Sequence, residues 1–241
     1  MFVISAIAVL LAYTVKGITG FANTLVFSSI MSFFQNNLAI TPIEIVLGTP
    51  SNVFIAVRER KGFKPSVVFP LAALMIAGCV PGALLLKSGS PEMVKLFFGA
   101  TITVVGLETF VADRLKLKAS RIMLAVIGLA AGVMCGMYGI GGLLVAYVSR
   151  TTKTPNEFRA NTCFVFILVD IFRTILYVAT GVFNTSVFMS ALKLAPFMVI
   201  GLTVGTLLSG RLKAELVRKT IMLFMVLTGV SLIITNLIAI I

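Results

Sequence analysis

Two glycine-rich breaks inside long apolar runs constrain the fold of this chain most. The first is Lys16–Met31, read as KGITGFANTLVFSSIM, and the second is Cys135–Arg150, read as CGMYGIGGLLVAYVSR. Glycine costs a helix interior roughly 1 kcal/mol relative to alanine, so clustered glycines predict that each helix is interrupted. Interrupted backbone is tolerated in a membrane only where it is buried in protein or lines a cavity. Two such breaks in one chain are typical of the paired broken helices of secondary transporters.

Composition indicates that these runs belong to a membrane protein. Of the 241 residues, 59% are hydrophobic and only 12% are charged, whereas a soluble domain carries about 25% charged residues. The net charge of +12 could suggest a nucleic-acid partner. However, the lysines and arginines lie in short loops between apolar runs, where membrane topology accounts for them. We therefore expect an all-α polytopic protein whose partner is the lipid bilayer, without nucleic acid.

The residue types argue against an enzyme. Histidine is absent, which removes the usual general base and the commonest metal ligand. Cys79, Cys135 and Cys163 are scattered singly through apolar stretches, which is the pattern of small buried residues rather than of a zinc site or a disulfide framework. The sequence also lacks a Walker-type phosphate loop. We expect no catalytic residue, no metal and no cofactor.

The second half of the sequence repeats the first. Thr41-Pro42-x-Glu44 matches Thr154-Pro155-x-Glu157, and Gly78-x-x-x-Gly82 matches Gly201-x-x-x-Gly205, in the same order along the chain. Chance could produce one or two such matches, but not the whole ordered series. The sequence therefore predicts two transmembrane repeats, residues 1–115 and residues 116–241.

The basic loops predict that the repeats are inverted. Asp113–Arg121 and Arg150–Arg159 are both basic and hence cytoplasmic, so the broken run between them should enter and leave the membrane on one face. The basic loop Arg58–Lys64 should lie inside, whereas its uncharged counterpart Gly181–Ser186 should lie outside. Each inverted repeat would then hold one broken-helix hairpin and three transmembrane helices.

The alternative is that each broken run is one long tilted or kinked helix. An arm of ~15 residues reaches about 22 Å, short of the ~30 Å hydrocarbon core, which favours the hairpin.

The chain resembles the TauE/SafE family of transporters, often called sulfite exporters, along its whole length. The resemblance is carried by the Gly-x-Gly-Gly of Gly139–Gly142, by the Thr-Pro-x-Glu after each break and by the duplication. The first copy departs from the family pattern, with Phe21-Ala22-Asn23 where further glycines are common. The resemblance implies a multi-pass protein of the bacterial inner membrane that moves sulfur-containing anions such as sulfite, thiosulfate and organosulfonates.

An anion site is predicted where the two breaks meet near the membrane midplane. Helices beginning near Gly20 and Gly139 would direct free N–H groups and positive dipole ends at the centre. The competing explanation for each small polar residue is close helix packing. The predicted substrate-binding residues are the glycines, hydroxyls, amides and one lysine around both breaks: Lys16, Gly17, Gly20, Asn23, Thr24, Thr49, Ser51, Asn52, Gly136, Tyr138, Gly139, Gly141, Gly142, Asn161 and Thr162.

Three ionisable residues in the apolar runs have two explanations each. Lys16 could neutralise the anion at a deep hairpin tip, or it could reach the lipid headgroups from a helix end. Asp170 and Arg173 lie at i, i+3 on one helical face, where ionisable groups are costly in a membrane. They could form a gate, or Arg173 could meet the substrate on the outer side; the competing explanation is a mutually neutralising pair that fixes helix packing.

The sequence thus predicts a secondary transporter of a small sulfur-containing anion, in which one repeat rocks against the other around a midplane site. Coupling to protons or sodium, the direction of transport and a homodimer stay open. One alternative is an anion channel on the same inverted hairpins, and another is a membrane assembly factor that transports nothing.

Overall fold

The computed structural model describes residues 1–112, 121–209 and 214–240, and these ranges form ten α-helices. The predicted repeat boundary between residues 115 and 116 and most of the basic loop Asp113–Arg121 lie outside the described residues. A 3₁₀ turn at Arg60–Gly62 connects the third and fourth helices. The helices are α1 Phe2–Thr19, α2 Asn23–Met31, α3 Asn37–Arg58, α4 Pro65–Ser88, α5 Pro91–Ala112, α6 Arg121–Tyr138, α7 Gly142–Thr151, α8 Pro155–Ala179, α9 Thr185–Leu208 and α10 Ala214–Ile240.

Six helices of the described residues are long and apolar enough to cross a membrane. Their outward faces are apolar as well; on α1, for example, Phe2, Ile7 and Leu11 are about half exposed. An apolar surface of this extent suits lipid rather than water. The prediction of an all-α polytopic membrane protein is therefore confirmed. The six spans are Phe2–Thr19, Asn37–Arg58, Pro65–Ser88, Pro155–Ala179, Thr185–Leu208 and Lys219–Ile238.

Each glycine-rich run consists of a long helix followed by a short one, instead of the two short arms expected. In the first run α1 has 18 residues and α2 has 9; in the second α6 has 18 and α7 has 10. An 18-residue helix is about 27 Å long, so the first arm of each run comes close to the thickness of the hydrocarbon core. The expectation of two short helices in each run holds for α2 and α7 but not for α1 and α6, because Gly17 and Gly136 lie within helices that extend as far as Thr19 and Tyr138.

The first run folds back on itself at residues 20–22. Helices α1 and α2 contact each other, and Asn23 Nδ2 donates a hydrogen bond to Tyr13 Oη at 3.4 Å. Ten residues of continuous helix rise about 15 Å, which is more than these two side chains and a hydrogen bond span. The chain therefore reverses between α1 and α2.

The two halves of the chain interleave. Helix α1 packs along α9, and the corresponding helix of the second half, α6, packs along α4. Helix α3 packs along its counterpart α8, and α5 along its counterpart α10. The contact of α1 with α9 thus has a partner, that of α6 with α4, in which the halves exchange roles. This is the pattern expected of two repeats related by a two-fold axis, and the inversion itself stays a prediction.

Small residues allow these helices to approach closely. A methyl group on Gly201 of α9 would lie 2.5 Å from the Leu10 carbonyl oxygen of α1, and one on Gly78 of α4 would lie 3.0 Å from Gly132 Cα of α6. Without a hydrophobic driving force between helices in lipid, such close backbone contact is a main source of association. The spaced glycine pairs of α4 and α9 therefore serve packing.

Candidate functional site

The breaks between the paired helices contain backbone conformations that favour glycine. Gly20 has φ +87° and Gly139 has φ +75°, and each donates its N–H to a carbonyl four residues earlier, at Lys16 and Cys135. Ala22 also has a positive φ, of 73°, at a position where the family pattern commonly has glycine. This conformation costs an L-residue roughly 1–2 kcal/mol. The short helices begin three residues after the glycines, at Asn23 and Gly142.

A group of buried polar and charged side chains lies between the two breaks. They come from α1, α2, α3 and α8, so both halves of the chain contribute. Each is at most 8% exposed, although ionisable groups are costly inside a membrane protein and are usually functional there. We call this group the central cluster; it consists of Lys16, Asn23, Thr24, Glu44, Asn52, Asp170 and Arg173.

One branch of the central cluster is a chain of hydrogen bonds from α1 to α8. Lys16 Nζ donates to Asn52 Oδ1 at 2.6 Å, and Asn52 Nδ2 donates to Asp170 Oδ2 at 3.3 Å. Asp170 Oδ1 in turn accepts from Arg173 Nη1 at 3.0 Å. Lys16 is 1% exposed and its ammonium points into the protein, which differs from a lysine that reaches the lipid headgroups.

The other branch is centred on Glu44 of α3. Its Oε1 accepts hydrogen bonds from Asn23 Nδ2 and from Thr24 Oγ1, each at 2.6 Å. Both donors belong to the first turn of α2, so the carboxylate lies beside the helix N-terminus, where a negative charge is favoured. Tyr13 of α1 accepts a further hydrogen bond from Asn23.

Gly139 at the second break brings the two branches together. A methyl group on Gly139 would lie 3.1 Å from Glu44 Oε2, 3.2 Å from Arg173 Nη2 and 3.1 Å from Thr24 Cγ2. Opposite charges from the first and second halves of the chain therefore flank the same small space at the break. Thr41 Oγ1 ties α3 to this break through the Met137 carbonyl at 3.4 Å.

The guanidinium of Arg173 is only partly hydrogen-bonded within the described part of the chain. Its Nε and Nη2 are buried and have no hydrogen-bond partner among the described residues, while Nη1 is held by Asp170. The whole side chain is 1% exposed. An unpaired buried donor on a charged group is costly, so these two nitrogens are suited to receive an acceptor. A guanidinium edge is suited to bind a tetrahedral oxyanion.

Some of the predicted site residues are buried but form their hydrogen bonds with backbone groups outside the central cluster. Tyr138 Oη donates to the Val94 carbonyl at 3.0 Å, and Ser51 Oγ donates to the Gly48 carbonyl in its own helix. Thr49 and Thr162 have buried hydroxyls without a partner among the described residues. These hydrogen bonds are consistent with packing roles for Tyr138 and Ser51, and the assignment of all four residues to the site stays a prediction.

Asn161 of α8 connects this helix to the 3₁₀ turn and to the residue that precedes α4. Its Oδ1 accepts from the Lys64 N–H at 2.7 Å, and its Nδ2 donates to the Gly62 carbonyl at 2.9 Å. Lys64 Nζ also pairs with Glu157 Oε2 at 2.7 Å. Nearby, Arg159 Nη2 donates to the Ile18 carbonyl at 2.9 Å, next to the first break. These contacts connect the basic loops of the two halves.

The predicted site glycines other than Gly20 and Gly139 face neighbouring helices. A methyl group on Gly17 would lie 2.6 Å from Thr206 N of α9, and one on Gly136 would lie 2.5 Å from the Cys79 carbonyl oxygen of α4. Methyl groups on Gly141 and Gly142 would meet Phe166 and Val105, the latter at 2.5 Å. Close packing is thus sufficient to explain these four glycines.

Glu44 is the cluster residue that the sequence-based prediction did not assign to the site. It was noted only as part of the repeated Thr-Pro-x-Glu motif. Its signal was a carboxylate within an apolar run, because such a residue needs a buried partner. Tyr13 was missed for a different reason: a tyrosine in an apolar helix carries no comparable signal.

Comparison with known proteins relates the chain to a family. A family model described as "Sulfite exporter TauE/SafE" matches residues 5–232, which is nearly the whole chain. No curated protein and no solved structure matches the chain.

Proposed function

The chain belongs to the sulfite exporter TauE/SafE family, and from this membership and the unpaired nitrogens of Arg173 we propose that it is a secondary transporter of small sulfur-containing anions. The substrate class includes sulfite, thiosulfate and short organosulfonates. Such anions present several oxygens, and Arg173 Nε and Nη2 offer donors that no described residue of the protein engages. Transport rather than catalysis is the activity of this family.

The anion would bind at the second break, against Arg173. The N-terminus of α7 begins there at Gly142, and its free N–H groups and positive dipole end add to the attraction. Asp170 holds Arg173 through Nη1 and leaves Nε and Nη2 for the substrate. In this proposal Arg173 binds the anion and Asp170 positions the guanidinium of Arg173. Lys16 adds a second positive charge to the site and is hydrogen-bonded to Asn52, which in turn donates to Asp170.

Alternating access would follow from motion of one half against the other. The central cluster combines α1, α2 and α3 with α8, so relative motion of the halves would open the cluster to either side. The Lys64–Glu157 ion pair, Asn161 and Arg159 would close the cytoplasmic side.

Transport assays with Arg173→Lys test the proposal. Purified protein in lipid vesicles should take up labelled sulfite, thiosulfate or ethanesulfonate with saturable kinetics. Lysine keeps a positive charge near Asp170 but lacks the planar fork. Each lost hydrogen bond to a charged group costs about 1.5–3 kcal/mol, so the KM of uptake should rise at least about tenfold. Arg58→Lys, at the exposed last residue of α3, is the matched control and should leave the KM unchanged.

The outcomes separate the proposal from its rivals. If the Arg173→Lys variant takes up the anion with the wild-type KM, Arg173 does not bind the substrate. Uptake that does not saturate and proceeds at channel rates would favour the anion channel. If vesicles with folded wild-type protein take up none of the three anions, the transporter proposal fails and the assembly factor becomes the better explanation.

A further inference from the structure

Glu44 is a buried charge that anion binding at Arg173 does not by itself explain. The side chain is in the protein interior, with the residue 5% exposed, and Oε1 is held by Asn23 and Thr24. Oε2 instead borders the space at Gly139 that Arg173 Nη2 borders from the other side. A carboxylate placed next to an anion site repels the anion, so its presence there calls for a role.

The charges around Glu44 balance before any substrate binds. The charged groups that act on it are Lys16 of α1 and both Asp170 and Arg173 of α8. Tyr13 of α1 is titratable and shares the Asn23 amide with Glu44. Helix α2 contributes only the neutral Asn23 and Thr24 to the carboxylate. With two cations and two carboxylates, a bound monoanion would leave one uncompensated negative charge in a buried site.

An uncompensated charge is expensive in a buried environment, and one proton removes it. Asp170 is poorly suited to take that proton, because both of its oxygens accept hydrogen bonds and one of these comes from Arg173 itself. Among the described residues, the hydrogen bonds to Glu44 come from a neutral amide and a neutral hydroxyl, both on Oε1. A proton on Oε2 would turn a repelling oxygen into a donor that faces the anion.

We propose that Glu44 takes up one proton when the anion binds at Arg173 and releases it when the anion leaves, so that anion and proton cross the membrane together. The step adds a proton from water to the Glu44 carboxylate and gives the neutral acid; no other bond changes. This inference rests on the proposed function, since it assigns the coupling ion of the same site. Of the two coupling ions that the sequence left open, proton and sodium, the inference selects the proton.

Calorimetric titration of the detergent-purified protein tests the proton count directly. Ethanesulfonate is titrated in two buffers of different ionisation enthalpy at the same neutral pH, without sodium. The sulfonate stays fully ionised, so any proton taken up belongs to the protein. Wild type should take up one more proton per bound anion than Glu44→Gln. Glu92→Gln, at an exposed position in the first turn of α5, is the matched control and should equal wild type.

Uptake into vesicles tests the same idea in transport. An inward proton gradient in sodium-free buffer should drive accumulation of labelled ethanesulfonate by wild type and by Glu92→Gln. Glu44→Gln resembles the protonated state, so it should lose gradient-driven accumulation and keep exchange of external for internal anion.

Each outcome decides between the two proposals. If wild type binds and transports the anion without proton uptake, or only with sodium, the inference is overturned and the proposed function stands. An equal proton count in Glu44→Gln and wild type also overturns it. If wild type neither binds nor transports any sulfur anion, the proposed function itself fails. Should Glu44→Gln not fold, Glu44→Asp provides the test: it should keep the proton but change the pH profile of its uptake, and an unchanged profile overturns the inference.

Discussion

At the residue scale, Gly139 shows how a single position can serve both the backbone and the site. Its positive φ allows the chain to leave α6, and its missing side chain leaves space between Glu44, Thr24 and Arg173. Gly181, in the loop before α9, also has a positive φ, of 74°, but a methyl group there would meet no atom within 4 Å. The two glycines therefore share a left-handed backbone conformation, but of the two only Gly139 has side chains close to the position of an added methyl group.

This difference predicts opposite outcomes for alanine substitutions. Gly139→Ala should abolish anion uptake, because the methyl group would occupy the space between the two charged side chains. Gly181→Ala should keep wild-type uptake and lose only the roughly 1–2 kcal/mol that the left-handed conformation costs an L-residue. Uptake by each variant in vesicles, with melting temperature in detergent as the stability measure, checks both. Wild-type uptake by Gly139→Ala would show that the substrate does not use this space.

At the element scale, the fold depends on pairs of long helices in close backbone contact. On α9, a methyl group at Gly205 would overlap the Thr14 carbonyl oxygen of α1 and lie 2.9 Å from Gly17 Cα. Glycines on α4 and α6 form the equivalent contact in the other half. Since α1 and α6 each lead into a break, these contacts also determine where Gly20 and Gly139 lie.

Widening one of these contacts should destabilise the protein. Gly205→Ala forces α1 and α9 apart, and overpacking of this kind costs about 1–3 kcal/mol. The melting temperature in detergent should therefore fall, and anion uptake with it. Thr203→Ala on the same helix is the control, because Thr203 is exposed and its hydroxyl bonds the Val199 carbonyl of its own helix. Equal melting temperatures for the two variants would contradict the role assigned to the close contact.

At the scale of the whole molecule, the interleaved halves and the basic loops agree on one arrangement. The exchange of roles between α1 with α9 and α6 with α4 is expected of two-fold-related repeats. The loop around Lys61 packs beside the start of α8, where Lys64 pairs with Glu157. Both of these basic segments are predicted to be cytoplasmic.

Sidedness can be measured with single cysteines and a membrane-impermeant maleimide. Ser186→Cys should be labelled in intact cells, whereas Lys61→Cys should be labelled only after the membrane is permeabilised. The native Cys79, Cys135 and Cys163 are buried, so background labelling should be low. Labelling of both positions from the same side would contradict the inverted repeats.

The sequence alone determined the membrane class, the two breaks and the family, because each depends on local composition or on a short motif. It also selected six of the seven members of the central cluster, since amides, hydroxyls and charges inside apolar runs must find buried partners. It placed the glycines less well: Gly17 and Gly136 were expected at the breaks, yet they lie within helices and face neighbouring backbones.

Only the tertiary structure distinguished the two copies of Thr-Pro-x-Glu. Glu44 is buried among Asn23, Thr24 and the space at Gly139, whereas Glu157 pairs with Lys64 near the protein surface. The four-residue motifs share the same pattern; the apolar run around Glu44 indicates burial, but it does not show which groups the carboxylate contacts. Their surroundings come from helices remote in sequence, and the free energy of a buried carboxylate depends on those surroundings rather than on its neighbours along the chain.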